Sequence, residues 1–186
     1  LYIKIIEFYD RDYQYKELAK RICNESNGDQ DKALALFEWT WKNIKTDIPQ
    51  SWPIIDDHVW HIIVRGYGIR DQLSDVFTTL CNYAGIDAFF TWVYTEDRAK
   101  RIPLSFIKIG RRWRIFDPFN GSYFKNKNGE IADVEELKST NGWSIESLNG
   151  KPAIDYTVYF SNLPSVKDAG LRIANTQSPF NRLLFE

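Results

Sequence analysis

The sequence predicts an α+β domain, with helices first and an antiparallel β-sheet after them. Three observations predict it. In the first half, apolar side chains recur at three- and four-residue intervals. The middle holds a continuous apolar run and a glycine-centred hairpin signal. In the second half, Asn-Gly turns crowd together at 120–121, 128–129, 141–142 and 149–150.

The elements follow in chain order. Leu1 to Tyr9 crowds β-branched and aromatic residues and reads as a strand or an extended lead-in. From Tyr15, the positions Leu18, Ala19, Ile22 and Cys23 extend one helical stripe. Asn27-Gly28 stops that helix, and Asp29 is the expected N-cap of the next. Ala33, Leu36, Phe37, Thr40, Trp41 and Ile44 share a face of the second helix, which must end before Pro49. Pro49 and Pro53 mark an irregular connection, followed by a mixed run from Asp56 to Arg65 and the turn Gly66-Tyr67-Gly68. A third helix is expected over Arg70 to Ala84, with Leu73, Val76, Phe77, Leu80, Cys81 and Ala84 in register and Gly85 behind it. Ala88 to Tyr94 is apolar on both faces, as a central strand requires. Leu104 to Ile109 and Arg112 to Asp117 form a hairpin closed by Gly110-Arg111, with glycine where a type II′ turn needs positive φ. That turn pairs Lys108 with Trp113 and Leu104 with Asp117. A short helix is expected at Val134 to Lys138 and a strand at Asp155 to Phe160. The last twenty-odd residues form a weakly patterned tail.

Composition narrows the function classes. The 186 residues fit one domain spanning 1–186. A formal charge of −1 argues against a general polyanion binder, nucleic acid included. Hydrophobic residues at 44% and charged residues at 26% suit a folded globule. No run of about 18 apolar residues exists, so no membrane-spanning helix is expected. No signal-peptide pattern opens the chain either, and the cytoplasm is the expected compartment. Without an initial methionine, the chain is expected to be part of a longer protein. Two cysteines cannot build a disulfide framework. Aromatic residues reach 16%, which suits either a densely packed core or a stacking surface.

A more specific pattern emerges from the middle of the chain. Gly66-Tyr67-Gly68-Ile69-Arg70-Asp71-Gln72 leads into an amphipathic helix that ends at Tyr83-Ala84-Gly85-Ile86. Gly110-Arg111-Arg112-Trp113-Arg114-Ile115-Phe116-Asp117-Pro118 follows. With the upstream helix Ala35 to Ile44, this order resembles the transglutaminase-like superfamily, a papain-like cysteine-enzyme fold. The resemblance covers about residues 30–120 and leaves 121–186 as a C-terminal extension. It implies a cysteine at the helix start, a histidine on the next strands and an aspartate orienting that histidine. A helix N-terminus lowers a thiol's pKa, the histidine takes the proton, and the carboxylate holds the tautomer.

Here the pattern departs from the family. Counting back from Gly85-Ile86, the nucleophile position holds Arg70. The histidine position holds Ile102 by ungapped spacing, or Leu104 if the hairpin is two residues shorter. Only Asp117 matches. Independently of any alignment, the two histidines, His58 and His61, both precede Arg70, so no Cys-His-Asp order can be drawn. The expected function is therefore a non-catalytic binding or scaffolding module without a cofactor. Its partners would be adjacent domains, or a peptide, glycan or anionic ligand held by Arg70, Tyr67, Trp113 and Arg112. The alternative is an enzyme of transglutaminase, cysteine-protease or deglycosylase type that uses a non-standard site or a partner domain's groups.

The remaining candidates have plainer readings. Cys23 and Cys81 lie on apolar stripes and read as buried structural thiols. His58 and His61 could chelate a metal if helical, but no third ligand stands at a recognisable spacing, so no metal is assigned. Seven basic residues lie between Arg98 and Arg114 without an acid, and read as a solvated sheet face that Glu130, Asp133, Glu135 and Glu136 could neutralise. Asp117 favours a structural Asp-Pro turn. Arg70 has two readings: a guanidinium paired with Asp117 inside the old site, or one reaching out to water.

Overall fold

The computed structural model describes residues 2–53, 58–139, 142–150 and 154–166. Four helices lead. Helix α1 spans Tyr2–Ile22 in one piece, which corrects the strand expected at its start. Ile3, Ile6, Tyr9 and Tyr13 are all exposed, so their β-branched and aromatic character carried no packing signal. Local propensity there loses to continuation of the helix whose buried face begins at Asp12 and Tyr15. Helix α2 spans Asp29–Asn43, with Gly28 rather than Asp29 at the cap position. The mixed run resolves into a two-turn helix, α3 (Val59–Arg65), closed by Gly66 at φ 72°. Helix α4 spans Arg70–Tyr83 and is the most deeply buried helix, with nine residues from Gln72 to Cys81 buried.

Five strands follow in the order β1-β2-β3-β4-β5, all antiparallel neighbours. They are β1 (Ala88–Tyr94), β2 (Arg101–Ile109), β3 (Arg112–Asp117), β4 (Ser122–Asn126) and β5 (Trp143–Ser147). The hairpin between β2 and β3 pairs Ile109 with Arg112 and Lys108 with Trp113, and Gly110 sits at φ 62°. Among the described residues Arg98 is the non-glycine with positive φ, so Arg111 keeps negative φ and the turn has the II′ signature. Helix α5 (Val134–Lys138) begins at Asp133, whose carboxylate accepts from the N–H groups of Glu135 and Glu136. The strand expected at Asp155 to Phe160 is instead a single turn, α6 (Thr157–Phe160). Asp155 Oδ1 accepts from Thr157 N at 2.9 Å, an Asx turn just ahead of Tyr156 at the cap position. The expected tail over 167–186 lies outside the described residues.

The sheet separates two cores. On one face Phe37 of α2, Phe77 of α4 and Phe116 of β3 meet with ring centroids 5.3–5.7 Å apart. Ala88 and Ile107 join this helical core. On the opposite face Leu104, Phe106, Trp113, Ile115 and Phe124 pack with Val134, Tyr156 and Phe160. Strand alternation puts neighbouring residues of β2 and β3 into different cores. Full burial of each large apolar side chain contributes about 1.5–3 kcal/mol, so both cores hold the sheet. The residues from 121 onward supply two strands and most of the second core.

Candidate functional site

The candidate site lies where α4 begins and β3 ends. Ile69 is the cap residue of α4, with extended backbone. It has no side-chain oxygen, so half of a capping box forms: Gln72 Oε1 accepts from Ile69 N at 3.2 Å. Arg65 donates to the same oxygen at 2.7 Å, and its Nε donates to the Tyr67 carbonyl at 2.9 Å. These bonds lock the Gly66-Tyr67-Gly68 turn against the helix start. The Tyr67 ring, half-buried, packs at 4.9 Å from the exposed Trp52.

Arg70 does not plug the site. It is exposed, and its guanidinium lies 4.7 Å over the Phe119 ring. No ion pair joins it to Asp117 among the described residues. The physical reason lies at both ends of the expected pair. A cation in the first turn opposes the helix dipole and is better solvated than buried. Asp117, meanwhile, already has its donors.

Asp117 is 2% exposed and sits in a cage of neutral groups. Its Oδ1 accepts from the N–H groups of Phe119 and Asn120, both at 3.1 Å. Its Oδ2 accepts from Asn120 Nδ2 at 2.7 Å and from Tyr156 Oη at 2.8 Å. Burial pushes the carboxyl pKa up, against the pull of these donors and, least, of the Arg70 charge. Burial also raises the Tyr156 phenol, and the Asp117 charge adds to it. Sequence reasoning anticipated the Asp-Pro turn but missed Asn120 and Tyr156. Asn120, three residues on, was findable as an Asx-type partner. Tyr156 lies 39 residues away and left no local signal.

Across the hairpin, Ser105 pairs with Phe116, which sets Leu104 opposite Asp117. Leu104 is fully buried, and Ile102 lies two residues along β2 at 2% exposure. Arg112 and Trp113 stand at the other end of β3, about 14–17 Å from Asp117 by strand rise. Trp113 is 8% exposed and packs edge-on to Phe89, with Lys108 Nζ over its ring. Arg112 pairs with Asp133 at 2.7 Å. Thus Arg70 and Tyr67 share one end of the molecule, and Arg112 and Trp113 occupy the other. The basic run is partly neutralised within the fold. Arg114 meets Glu136 at 3.6 Å, and Lys108 meets Asp87 at 3.8 Å.

Cys81 is fully buried and its thiol pKa lies well above the ordinary value because of burial. Cys23, expected buried, is half-buried just past the end of α1, and burial raises its thiol too. His58 caps α3 and His61 lies within it, their rings 5.9 Å apart. Among the described residues no three His, Cys, Asp or Glu side chains gather as a metal cluster. Neither Arg70 nor Asp117 lines either of two cavities. One of about 590 Å³ is lined by Thr95, Glu96, Asp97, Lys100, Val158 and Ser161. The other, about 490 Å³, lies between α1 and α3. Among the described residues no helix is long and apolar enough to cross a membrane.

Helices stacked on one face of an antiparallel sheet, with an aspartate ending the strand beside the central helix's start, define a papain-like α+β domain. The chain belongs to the Transglutaminase-like superfamily, whose pattern matches residues 16–144. A candidate cysteine protease from Cytophaga hutchinsonii has a similar fold, with a TM-score of 0.50 and 20% identity over 77% of this chain and 51% of that one. A candidate protease from Parabacteroides distasonis gives a TM-score of 0.48 at 15% identity, covering 75% and 27%. A TGase gives 0.47 at 13% identity, covering 64% and 33%. The chain thus spans about half the length of the first of these and less of the other two. No curated protein matches it.

Proposed function

We propose that this chain is a non-catalytic transglutaminase-like domain that serves as a binding or scaffolding module. One observation carries the reading: both candidate positions for the family's base, Ile102 and Leu104, hold buried apolar side chains, and no histidine occurs after His61. Two more support it. The Asp117 oxygens are occupied by Asn120, Tyr156 and two backbone N–H groups, leaving no lone pair directed at a base. Both thiols have raised pKa values, the opposite of what a thiolate nucleophile needs.

Binding would use the end of the molecule where Trp52, Tyr67, Phe119 and Arg70 meet the surface, and adjacent domains would be natural partners. The test is incubation with a glutamine-containing acyl donor, a fluorescent amine and a thiol-directed probe. No incorporation and no labelling of a single activated thiol are expected. Thiol-dependent turnover abolished by Cys81→Ala would establish the enzyme reading instead.

A further inference from the structure

Two exposed arginines, Arg70 and Arg101, lie over aromatic rings without an ion pair among the described residues, and topology places them at one end of the molecule. Helix α4, 14 residues long, rises about 21 Å, and β1, seven residues long, returns about 23 Å after a short turn. The end of β1 therefore lies level with the start of α4. Arg101 pairs with Tyr94 there, at the start of β2, and β3 ends at the same side because it runs antiparallel to β2. Arg101 lies 4.3 Å over the half-buried Trp92 ring and donates to Tyr94 Oη at 3.4 Å. Arg70 lies 4.7 Å over the half-buried Phe119 ring. Both arginines are exposed, and neither is in an ion pair among the described residues.

Two of the neighbouring acids, Asp71 and Asp97, are held by local hydrogen bonds. Asp97 accepts from Thr95 and Ala99 and feels Lys100, and Asp71 accepts from Gln72 N. Glu96 remains exposed at the β1–β2 turn. A guanidinium held over a ring loses rotamer freedom in advance, while N–H groups at its edge remain able to meet a carboxylate. Binding then costs less side-chain ordering. Two such guanidinium groups on an exposed, aromatic-lined surface suit several carboxylates in a row better than one small acid.

We propose that Arg70 on Phe119 and Arg101 on Trp92 form a paired carboxylate reader that docks an acidic peptide segment of a partner protein. The inference rests on the binding-module reading and names its ligand class. The probe is fluorescein-labelled hexaglutamate, followed by fluorescence anisotropy at low salt, with hexaglutamine and a dT hexamer as comparators. Arg70→Gln and Arg101→Gln should each weaken binding at least about tenfold, the loss of a charged hydrogen-bonded contact. Arg111→Gln, an exposed cation at the far hairpin turn, should change it by less than about twofold. Circular dichroism checks each fold. If a glutamine variant is impaired, Arg→Lys at the same position keeps the charge, removes the fork and should still weaken binding. Equal binding of hexaglutamine, tighter binding of dT, or equal losses in all three glutamine variants would overturn the proposal. So would unchanged binding in Arg70→Gln and Arg101→Gln. Mass spectrometry of the recovered peptide reads turnover separately, so a catalytic domain and a missing acidic site give different results.

Discussion

A buried carboxylate costs several kcal/mol unless its lone pairs find donors, and Asp117 finds them in Asn120, Tyr156 and two backbone N–H groups. Asp117→Ala leaves those donors unpaired and should cost about 3 kcal/mol in urea denaturation. Arg70→Ala removes one exposed ring stack and one cation opposed to the helix dipole, so its change should stay within about 1 kcal/mol. Comparable losses in the two variants would restore the ion-pair picture. The pH dependence carries its own sign. Burial raises the folded pKa of Asp117 above its ordinary 3.8, so folding takes up a proton between the two values. The stability tied to the protonated carboxyl is complete below 3.8 and is lost as pH rises through the folded value. Asp117→Asn has no such titration. In urea melts at stepped pH, the stability of wild type relative to Asp117→Asn should therefore fall across that window. A constant difference would mean that the carboxyl titrates normally.

Among the elements, the turn that carries Asn120 is held from outside by α2. Gly121 sits at φ 61°, and a Cβ there would lie 2.6 Å from Trp41 Nε1. Both the backbone angle and the contact forbid a side chain. Gly121→Ala should cost about 2 kcal/mol, and less in a Trp41→Leu background, where only the backbone strain remains. Equal costs in both backgrounds would show that the ring does not matter. Which elements could be read from the sequence follows from how local their determinants are. The β2–β3 register was readable because Gly110-Arg111 specifies it within the turn itself. Helix α5 was readable because Asp133 and Glu136 form its capping box three residues apart. The start of α1 was not, because its exposed Ile3, Ile6, Tyr9 and Tyr13 favour a strand locally while the helix is decided by packing beyond Asp12. Nor was α6, where Tyr156 and Phe160 are buried against Phe124 by tertiary contact and their alternation mimics a strand.

For the whole molecule, the helix-then-sheet order and the family were written in residues 30–120, yet the family pattern extends from 16 to 144. The second core explains the stretch beyond 120, from which it takes Phe124, Ala132, Val134 and Leu137. It joins Leu104 and Phe106 of β2 to Tyr156 and Phe160, and contacts of that sequence separation leave no periodic trace. The Asp117 cage escaped for the same reason. The first core offers a direct test of how the domain opens. Cys81 sits in the last turn of α4, inaccessible to water and packed within the cluster that holds Phe37, Phe77 and Phe116. Cys23 lies just past α1 and is only half-buried. Both thiols have pKa values raised by burial, so their native reactivity depends on exposure as well as on thiolate fraction. Fraying of α1 exposes Cys23, whereas Cys81 needs α4 to leave the sheet and all three other helices. Cys81 should thus be modified only through global unfolding, at least about a thousandfold more slowly than in the unfolded chain. Cys23 should react well before it. Stopped labelling with iodoacetamide across a urea series, read by peptide mass spectrometry, separates the two. The urea slope for Cys81 should equal the equilibrium slope of the whole domain. A shallow slope for Cys81 would mean that α4 opens locally and that the central-helix account of this core is wrong.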